Sequence, residues 1–424
     1  MENGDSTKMN EKTDVLFLPL QRYFWHKGGS ELYATNQMFI AIRDVLKCKA
    51  YVGHVWDEES RRKIEEMNWE IESFGIGRDR SVLNDIKFYF DIFVYGAKNA
   101  GKARILHHYG AFGYMEGFNP AFFLPKFGTK YIVGPIITPS VDEINKLNGK
   151  GGQKDQTNNV VALGFLKVNH RYGPLFSSLL KILHYLTLRR ADLIIYESDQ
   201  CRNLYWGRFP QLKNRNSQIL PFSIASETEF KPNKNRRSYE GNLCLGVASN
   251  LIRRKNIDKL IDAFPSFEGR VELKITSTGP EIPRLVKMVN DEGIFDNVKF
   301  LGRIPAEQIR SFYNSIDVYV SLDDLKGVLT PSVVEALMSG CPVVIADSRL
   351  GDEIRVQAWG VTVNPLSRTS IVKGVNYFIQ NAKNLAAMST EARRFAEINL
   401  STSSFRIKLM NIYGNLGISN INPL

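Results

Sequence analysis

One pattern constrains this chain more than any other: a short apolar strand followed by an amphipathic helix, repeated, interrupted once, and then resumed. Asp14 to Leu20 reads as a first strand. Glu31 to Leu46 then reads as a helix, with Met38, Ile42 and Leu46 on one face. Residues 49–55, 104–108, 130–134 and 192–196 read as further strands, the last preceded by a strongly apolar helix from Leu175 to Leu188. Strands that alternate with helices in this way do not pair through tight hairpins. They predict a parallel sheet with helices on both faces.

The interruption lies between Pro221 and Glu240. Pro221, Pro232, Asn233 and Asn235 stand there beside Lys231, Lys234, Arg236 and Arg237, and such a polar segment predicts a connector. After it the alternation restarts more regularly. Strands are expected at 243–248, 271–275, 298–301, 317–320 and 342–345, and helices at 257–264, 282–289, 306–313 and 331–338. From Thr390 onward the pattern is helical. The expected organisation is a polar tail over 1–13, a Rossmann-like acceptor domain over 14–222, a linker over 223–240, a Rossmann-like nucleotide-sugar domain over 241–389, and C-terminal helices over 390–424 that cross back to the first domain. Gly149 to Asn159, rich in Gly, Lys and Asn, predicts a mobile surface loop.

Composition removes several classes of function. The four cysteines (Cys48, Cys201, Cys244, Cys341) form no C-x-x-C pair, which argues against a zinc or redox motif and weakly for a reducing, cytoplasmic setting. Met1 to Lys12 has no apolar signal core, and no uncharged apolar run reaches the roughly 18 residues that cross a bilayer. The net charge of +11 fits a phosphorylated ligand, a membrane surface or a merely solvated basic surface. Nucleic acid is not the expected partner, because no zinc finger or regular basic–aromatic interleaving accompanies the charge.

Four places could carry chemistry. Gly28 and Gly29 sit between the first strand and the first helix, where backbone can approach a ligand and a helix N-terminus offers free N–H groups. A plain tight turn fits them equally well. Arg253-Arg254-Lys255 follows a strand and precedes a helix, and cations at that edge suit a diphosphate; the alternative is an exposed basic turn. Thr330-Pro331-Ser332 opens a helix that carries Glu335. Glu335 could accept two hydroxyls of a sugar diol, but Ser332-x-x-Glu335 also has the spacing of a capping box. His107 and His108 end a strand of the first half, with no third ligand at metal-binding spacing.

Taken in order, these segments resemble the retaining GT-B glycosyltransferases of family 4. The likeness is strongest from Leu243 to Gly360: a strand and basic turn ending in Lys255, a strand ending in the turn at Gly279-Pro280, the strand 298–302, Tyr313 before Asp317, and the helix start Ser332 to Glu335. The Gly28-Gly29-x-Glu31 turn is similar to the family's first-domain glycine loop. The resemblance implies a GT-B fold, with two Rossmann-like domains facing across a cleft, and a hexosyltransferase-like, retaining enzyme of glycan biosynthesis. Such an enzyme takes a nucleotide sugar as donor and a glycan or lipid-linked sugar as hydroxyl acceptor. It needs neither cofactor nor metal, because cations and helix dipoles neutralise the leaving diphosphate. On the same resemblance, Lys255 and Arg254 hold the diphosphate and Glu335 binds the ribose. Gly28 and Gly29 face the phosphate, and Asn250, Gly279, Thr330, Pro331 and Ser332 line the donor site. His108, with His107 as second choice, meets the donor sugar.

Three positions depart from the family pattern. Asn250 stands where an Arg is usual, and Ser277 where a Gly is usual. The first of two family glutamates, eight residues before Glu335, falls on Gly327, with Lys326 adjacent and Asp323 and Asp324 as the nearest carboxylates. These departures keep a second expectation open, a non-catalytic GT-B protein that binds a partner or glycan. The segment Leu179 to Leu188, flanked by Lys181, Arg189 and Arg190, is read as either a core helix or a peripheral membrane contact.

Overall fold

A computed structural model of the chain describes residues 13–24, 37–38, 41–42, 44–55, 57–66, 70–76, 82–109, 118–136, 179, 182–232, 239–323, 329–347 and 357–418. The loop 149–159, the tail 1–12, the pair Gly28 and Gly29, and the stretch 324–328 lie outside the described residues. The chain divides into two compact units: residues 1–137, 163–220 and 406–424, and residues 138–162 with 221–405.

The first unit is built on a seven-stranded sheet. Its strands are β1 (Thr13–Phe24), β2 (Cys48–Val55), β3 (Glu70–Ile76), β4 (Ala103–His108), β5 (Lys130–Ile136), β6 (Leu193–Tyr196) and β7 (Ser217–Ile219), in the order β3-β2-β1-β4-β5-β6-β7. All pairs are parallel. A parallel sheet covered on both faces needs strands apolar on both sides. Val15 to Leu18, Ile105, Leu106, Tyr131 to Val133 and Leu193 to Tyr196 accordingly are all buried.

The second unit repeats the plan with β8 (Asn242–Ala248), β9 (Arg270–Thr276), β10 (Val298–Gly302), β11 (Val318–Ser321), β12 (Val343–Ala346) and β13 (Gly360–Val363), ordered β10-β9-β8-β11-β12-β13. These pairs too are parallel. In each sheet the order reverses beside the first strand, between β1 and β4 and between β8 and β11. Ligands of open α/β sheets bind at the carboxyl ends of strands at such a reversal. The two reversals are therefore where a site is sought.

The stretch read as a linker from 223 is packed into the second unit over its described part. Ile224, Ala225 and Phe230 are buried, Ala225 bridges to Ser401, and Arg393 donates to the carbonyls of Glu227 and Phe230. Polar composition hid this because the segment's few apolar side chains all face inward. The helices Leu385–Leu400 and Thr402–Gly414 follow, and the last begins in the second unit and ends in the first. The apolar helix before β6 is helical over 182–190. His184, Thr187 and Leu188 are buried there, whereas Leu179 and Ile182 are exposed.

Candidate functional site

At the second reversal the chain leaves β8 at Ala248 and makes a single 3-10 turn, Arg253–Lys255. Asn256 then takes a left-handed conformation (φ 51°) and opens the helix Ile257–Ala263. That conformation is open to asparagine because its short side chain bonds locally. Here Asn256 Nδ2 donates to the carbonyl of Leu322 at 2.8 Å, which ties the basic turn to the exit of β11.

The three cations of the turn are divided. Arg253 faces Glu281 at 3.5 Å. Arg254 Nη1 donates to Asp323 Oδ1 at 3.0 Å, and Lys255 Nζ donates to Asp323 Oδ2. The Asp323 side chain is only 3% exposed and that of Lys255 14%. One buried carboxylate thus holds two cations side by side and leaves one net positive charge on the trio. Lys255 and Asp323 line a shallow recess together with Ser249 and Ser321, over an apolar floor that includes Val247 and Val320. A recess at a sheet's carboxyl edge, beside a trio with one surplus positive charge, suits an anion.

The turn after β9 closes the same edge. Leu251 accepts from Glu281 N at 3.1 Å and donates to Thr278 O at 3.0 Å. The approach is so close that a Cβ on Gly279 would lie 2.2 Å from Leu251 O. Asn250, exposed at the end of β8, meets the Ser277 hydroxyl at 3.4 Å. Ser277 has φ 108°, in the region that favours glycine. The family's glycine requirement therefore persists in the backbone although the residue has changed. Ser277→Gly is expected to raise stability by about 1 kcal/mol by relieving that conformation. Thermal unfolding of the two proteins checks this, and a fall in midpoint would contradict it.

The helix Pro331–Met338 starts with Thr330 at its N-cap and no side-chain cap bond; the Thr330 hydroxyl instead meets that of Ser332 at 3.2 Å. Ser332 is inside the helix, so the capping-box alternative is excluded. Glu335 accepts from the Tyr313 hydroxyl at 2.8 Å. Tyr313 packs on Tyr319, with ring centroids 5.8 Å apart. The Tyr319 hydroxyl donates to Ala248 O at 3.1 Å and bonds the Ser332 side chain. Through these two tyrosines Glu335 and Ser332 are held at the end of β8, at the edge that also carries Lys255. Asp317, part of the family pattern, does structural work: its carboxylate accepts from Cys244 N at 2.8 Å.

Burial pushes the Glu335 carboxyl up to about 7; Glu229 adds to this and the Tyr313 bond opposes it. A raised carboxyl favours the folded state most below its unfolded value of 4.5, and that contribution is lost as pH rises through about 7. The sign is opposite for a ligand that needs the carboxylate as acceptor. Nucleoside diphosphate affinity is expected to rise about tenfold between pH 6 and pH 8, and Glu335→Gln should flatten that rise. Titrations of both proteins at the two pH values check this. An equal slope in both would remove Glu335 from the nucleotide.

In the first unit, His107 and His108 end β4 beside β1 and β5. Successive strand residues point to opposite faces. His107 Nε2 donates to Gly134 O at 2.8 Å, so Nδ1 is the acceptor that takes the Tyr413 hydroxyl, also at 2.8 Å. Burial pushes its pKa down to about 3. It is a neutral core histidine with both nitrogens committed, which leaves it no proton to exchange. His108 is also buried, with Phe122 6.5 Å away.

Sequence reasoning missed the roles of Asp323 and Tyr319. Asp323 lies 68 residues from Lys255 and drew notice only as a nearby carboxylate. Among the described residues no group of three His, Cys, Asp or Glu could hold a metal ion, and no helix is long and apolar enough to cross a membrane.

Residues 228–395 match the family model described as glycosyl transferases group 1. This span contains the whole of the second-unit site. A GDP-mannose-dependent alpha-(1-6)-phosphatidylinositol monomannoside mannosyltransferase from Mycolicibacterium smegmatis is 29% identical over 158 residues, 35% of this chain and 41% of the relative. The chain thus spans under half the length of that relative. Among solved structures, Anabaena HepE in complex with UDP superposes with a TM-score of 0.66 at 15% identity, covering 95% of this chain and 100% of the other. Sucrose-phosphate synthase from Thermosynechococcus elongatus gives 0.65 at 14%, covering 95% and 99%. With the two parallel sheets, these likenesses establish the fold as GT-B, with two Rossmann-like units, and the chain as similar to group 1 glycosyltransferases.

Proposed function

We propose that this chain transfers a sugar from a nucleotide-diphosphate donor to a hydroxyl of a glycan or lipid-linked sugar. The observation that carries the proposal is the Arg254–Asp323–Lys255 cluster at the reversal between β8 and β11, inside the segment matching group 1 glycosyltransferases. The names of the similar proteins are in keeping with it: one uses GDP-mannose and another binds UDP.

In this account Lys255 and Arg254 hold the diphosphate, and Glu335 accepts from the ribose hydroxyls. The bond between the sugar's anomeric carbon and the terminal phosphate oxygen breaks, and the diphosphate leaves with the electron pair. The cations stabilise that charge as it develops, which makes a metal unnecessary. The acceptor oxygen bonds the anomeric carbon on the face the diphosphate vacates, and its proton passes to a phosphate oxygen. The configuration is thereby retained.

His108, at the first unit's reversal, is assigned to the donor sugar. His108→Ala is expected to lower turnover about a hundredfold with little loss of nucleotide affinity. Steady-state rates beside titrations check it, and full activity in the variant would refute the assignment.

The transfer itself is tested by incubating the chain with UDP-, GDP- and ADP-sugars and candidate acceptors, with and without chelator. A glycosylated product with the donor's anomeric configuration, formed equally under chelator, supports the proposal. Asn250 in place of the family arginine favours a second reading, a GT-B protein that binds without transfer. Nucleotide binding with no product from any donor would favour that reading.

A further inference from the structure

The helix Val82–Asn99 carries two apolar faces, and the sheet uses only one. Phe88, Ile92 and Tyr95 are buried. On the other side Leu83 is 73% exposed, Ile86 55%, Phe90 64% and Phe93 42%. Their spacing of three, four and three places all four on one stripe. Single exposed apolar side chains are ordinary on a protein surface, but four large ones in register are not. Lys87 and Lys98 are exposed along one flank of the stripe, where their methylene stems can lie beside apolar surface.

The surface continues past the helix. Gly96 packs on the turn Pro120–Phe123, where an added Cβ would lie 2.6 Å from that of Ala121. The rings of Tyr89, Phe118 and Phe123 follow one another at 5.1 and 6.2 Å. Phe123 is exposed, and so is Phe127, which lies against Gly101. On the far side of the turn Arg190 Nε donates to Phe122 O at 2.6 Å, and its guanidinium lies 6.0 Å from the Phe123 ring. Arg189 beside it is exposed, as are Ile182 on the same helix and Leu179 before it in sequence.

We propose that this face of the first unit docks the protein on an anionic lipid bilayer, with the helix Val82–Asn99 lying in the plane of the interface. A convex helix with a Phe/Leu/Ile stripe and flanking cations is the form that binds such interfaces. The flanking lysines and arginines, in a chain of net charge +11, complement an anionic surface and select it over a neutral one. The surface stands on exposure and charge alone, so it holds whether or not the chain transfers sugar.

The test is sedimentation of the full chain with vesicles of phosphatidylcholine, and of phosphatidylcholine with one-third phosphatidylglycerol. Binding to the anionic vesicles is expected, with little binding to the neutral ones. Phe90→Ser/Phe93→Ser is expected to weaken it by about tenfold or more. Lys87→Glu/Lys98→Glu should weaken it comparably, and most at low salt. All four side chains are solvent-exposed, so unfolding midpoints should match the parent protein. Absence of anionic-vesicle binding, binding to neutral vesicles alone, or undiminished binding in both double variants would overturn the proposal. Conversion of a dimer to a monomer by Phe90→Ser/Phe93→Ser, with vesicle binding unchanged, would overturn it in favour of a second copy of the chain.

Discussion

Lys255→Ala is expected to weaken nucleoside diphosphate binding by about a hundredfold, while lowering the unfolding midpoint by only a few degrees. A charge-assisted bond to phosphate contributes about 1.5–3 kcal/mol. Removing the ammonium also leaves the buried Asp323 carboxylate with Arg254 alone, so its negative charge, less fully balanced, repels the incoming diphosphate. The fold loses less, because Arg254 still meets Asp323 at 3.0 Å and Asn256 still bonds Leu322. Calorimetric titration and thermal unfolding of the same preparations separate the two effects. Equal affinity in both proteins would remove Lys255 from the site.

Asp323→Asn is expected to act in the opposite direction on binding. The side chain keeps its shape but loses its charge, which leaves Arg254 and Lys255 side by side without a counter-charge. Breaking a buried pair from one side costs about 3 kcal/mol, or roughly 6–10 °C of midpoint for a unit of this size. A bound diphosphate supplies negative charge at the same place. The variant is therefore expected to bind nucleoside diphosphate at least as tightly as the parent, and saturating ligand should recover most of the lost midpoint. A lower midpoint that ligand does not recover would mean that Asp323 serves the fold alone.

The fold was legible where burial is symmetrical. In the second unit β8, β11 and β12 are short apolar runs buried nearly throughout, and β8, β9, β10, β11 and β12 all stand within a residue or so of where the sequence predicts them. The strands that escaped notice carry another pattern. In β3 Glu70 and Glu72 alternate with apolar residues, β7 has three residues, and β13 has Thr362 within a four-residue run. The helix Val82–Asn99 escaped for the reverse reason: apolar residues all around it blur the periodicity that marks a one-sided helix.

The site was legible only in part. Lys255 and Glu335 were singled out as candidates through local spacing, because a strand-to-helix turn and a helix start leave marks in consecutive residues. Their partners were not, because Asp323 and Tyr313 reach them through tertiary packing across 68 and 22 residues. The capping box stayed open in the sequence because the spacing does not say that Thr330, and not Ser332, is the N-cap. His107 and His108 were indistinguishable as neighbours in sequence. Its hydrogen bonds to the Gly134 carbonyl and from the Tyr413 hydroxyl, 27 and 306 residues away, commit His107 to the core.

The measurement that bears most directly on a nucleotide-diphosphate site at the second reversal is calorimetric titration of the full chain with UDP, GDP and ADP, without added metal. Saturable binding of one of them at one site per chain is the predicted result, and it would identify the base. No heat of binding from any of the three would contradict the assignment and leave the Arg254–Asp323–Lys255 cluster as a structural ion pair.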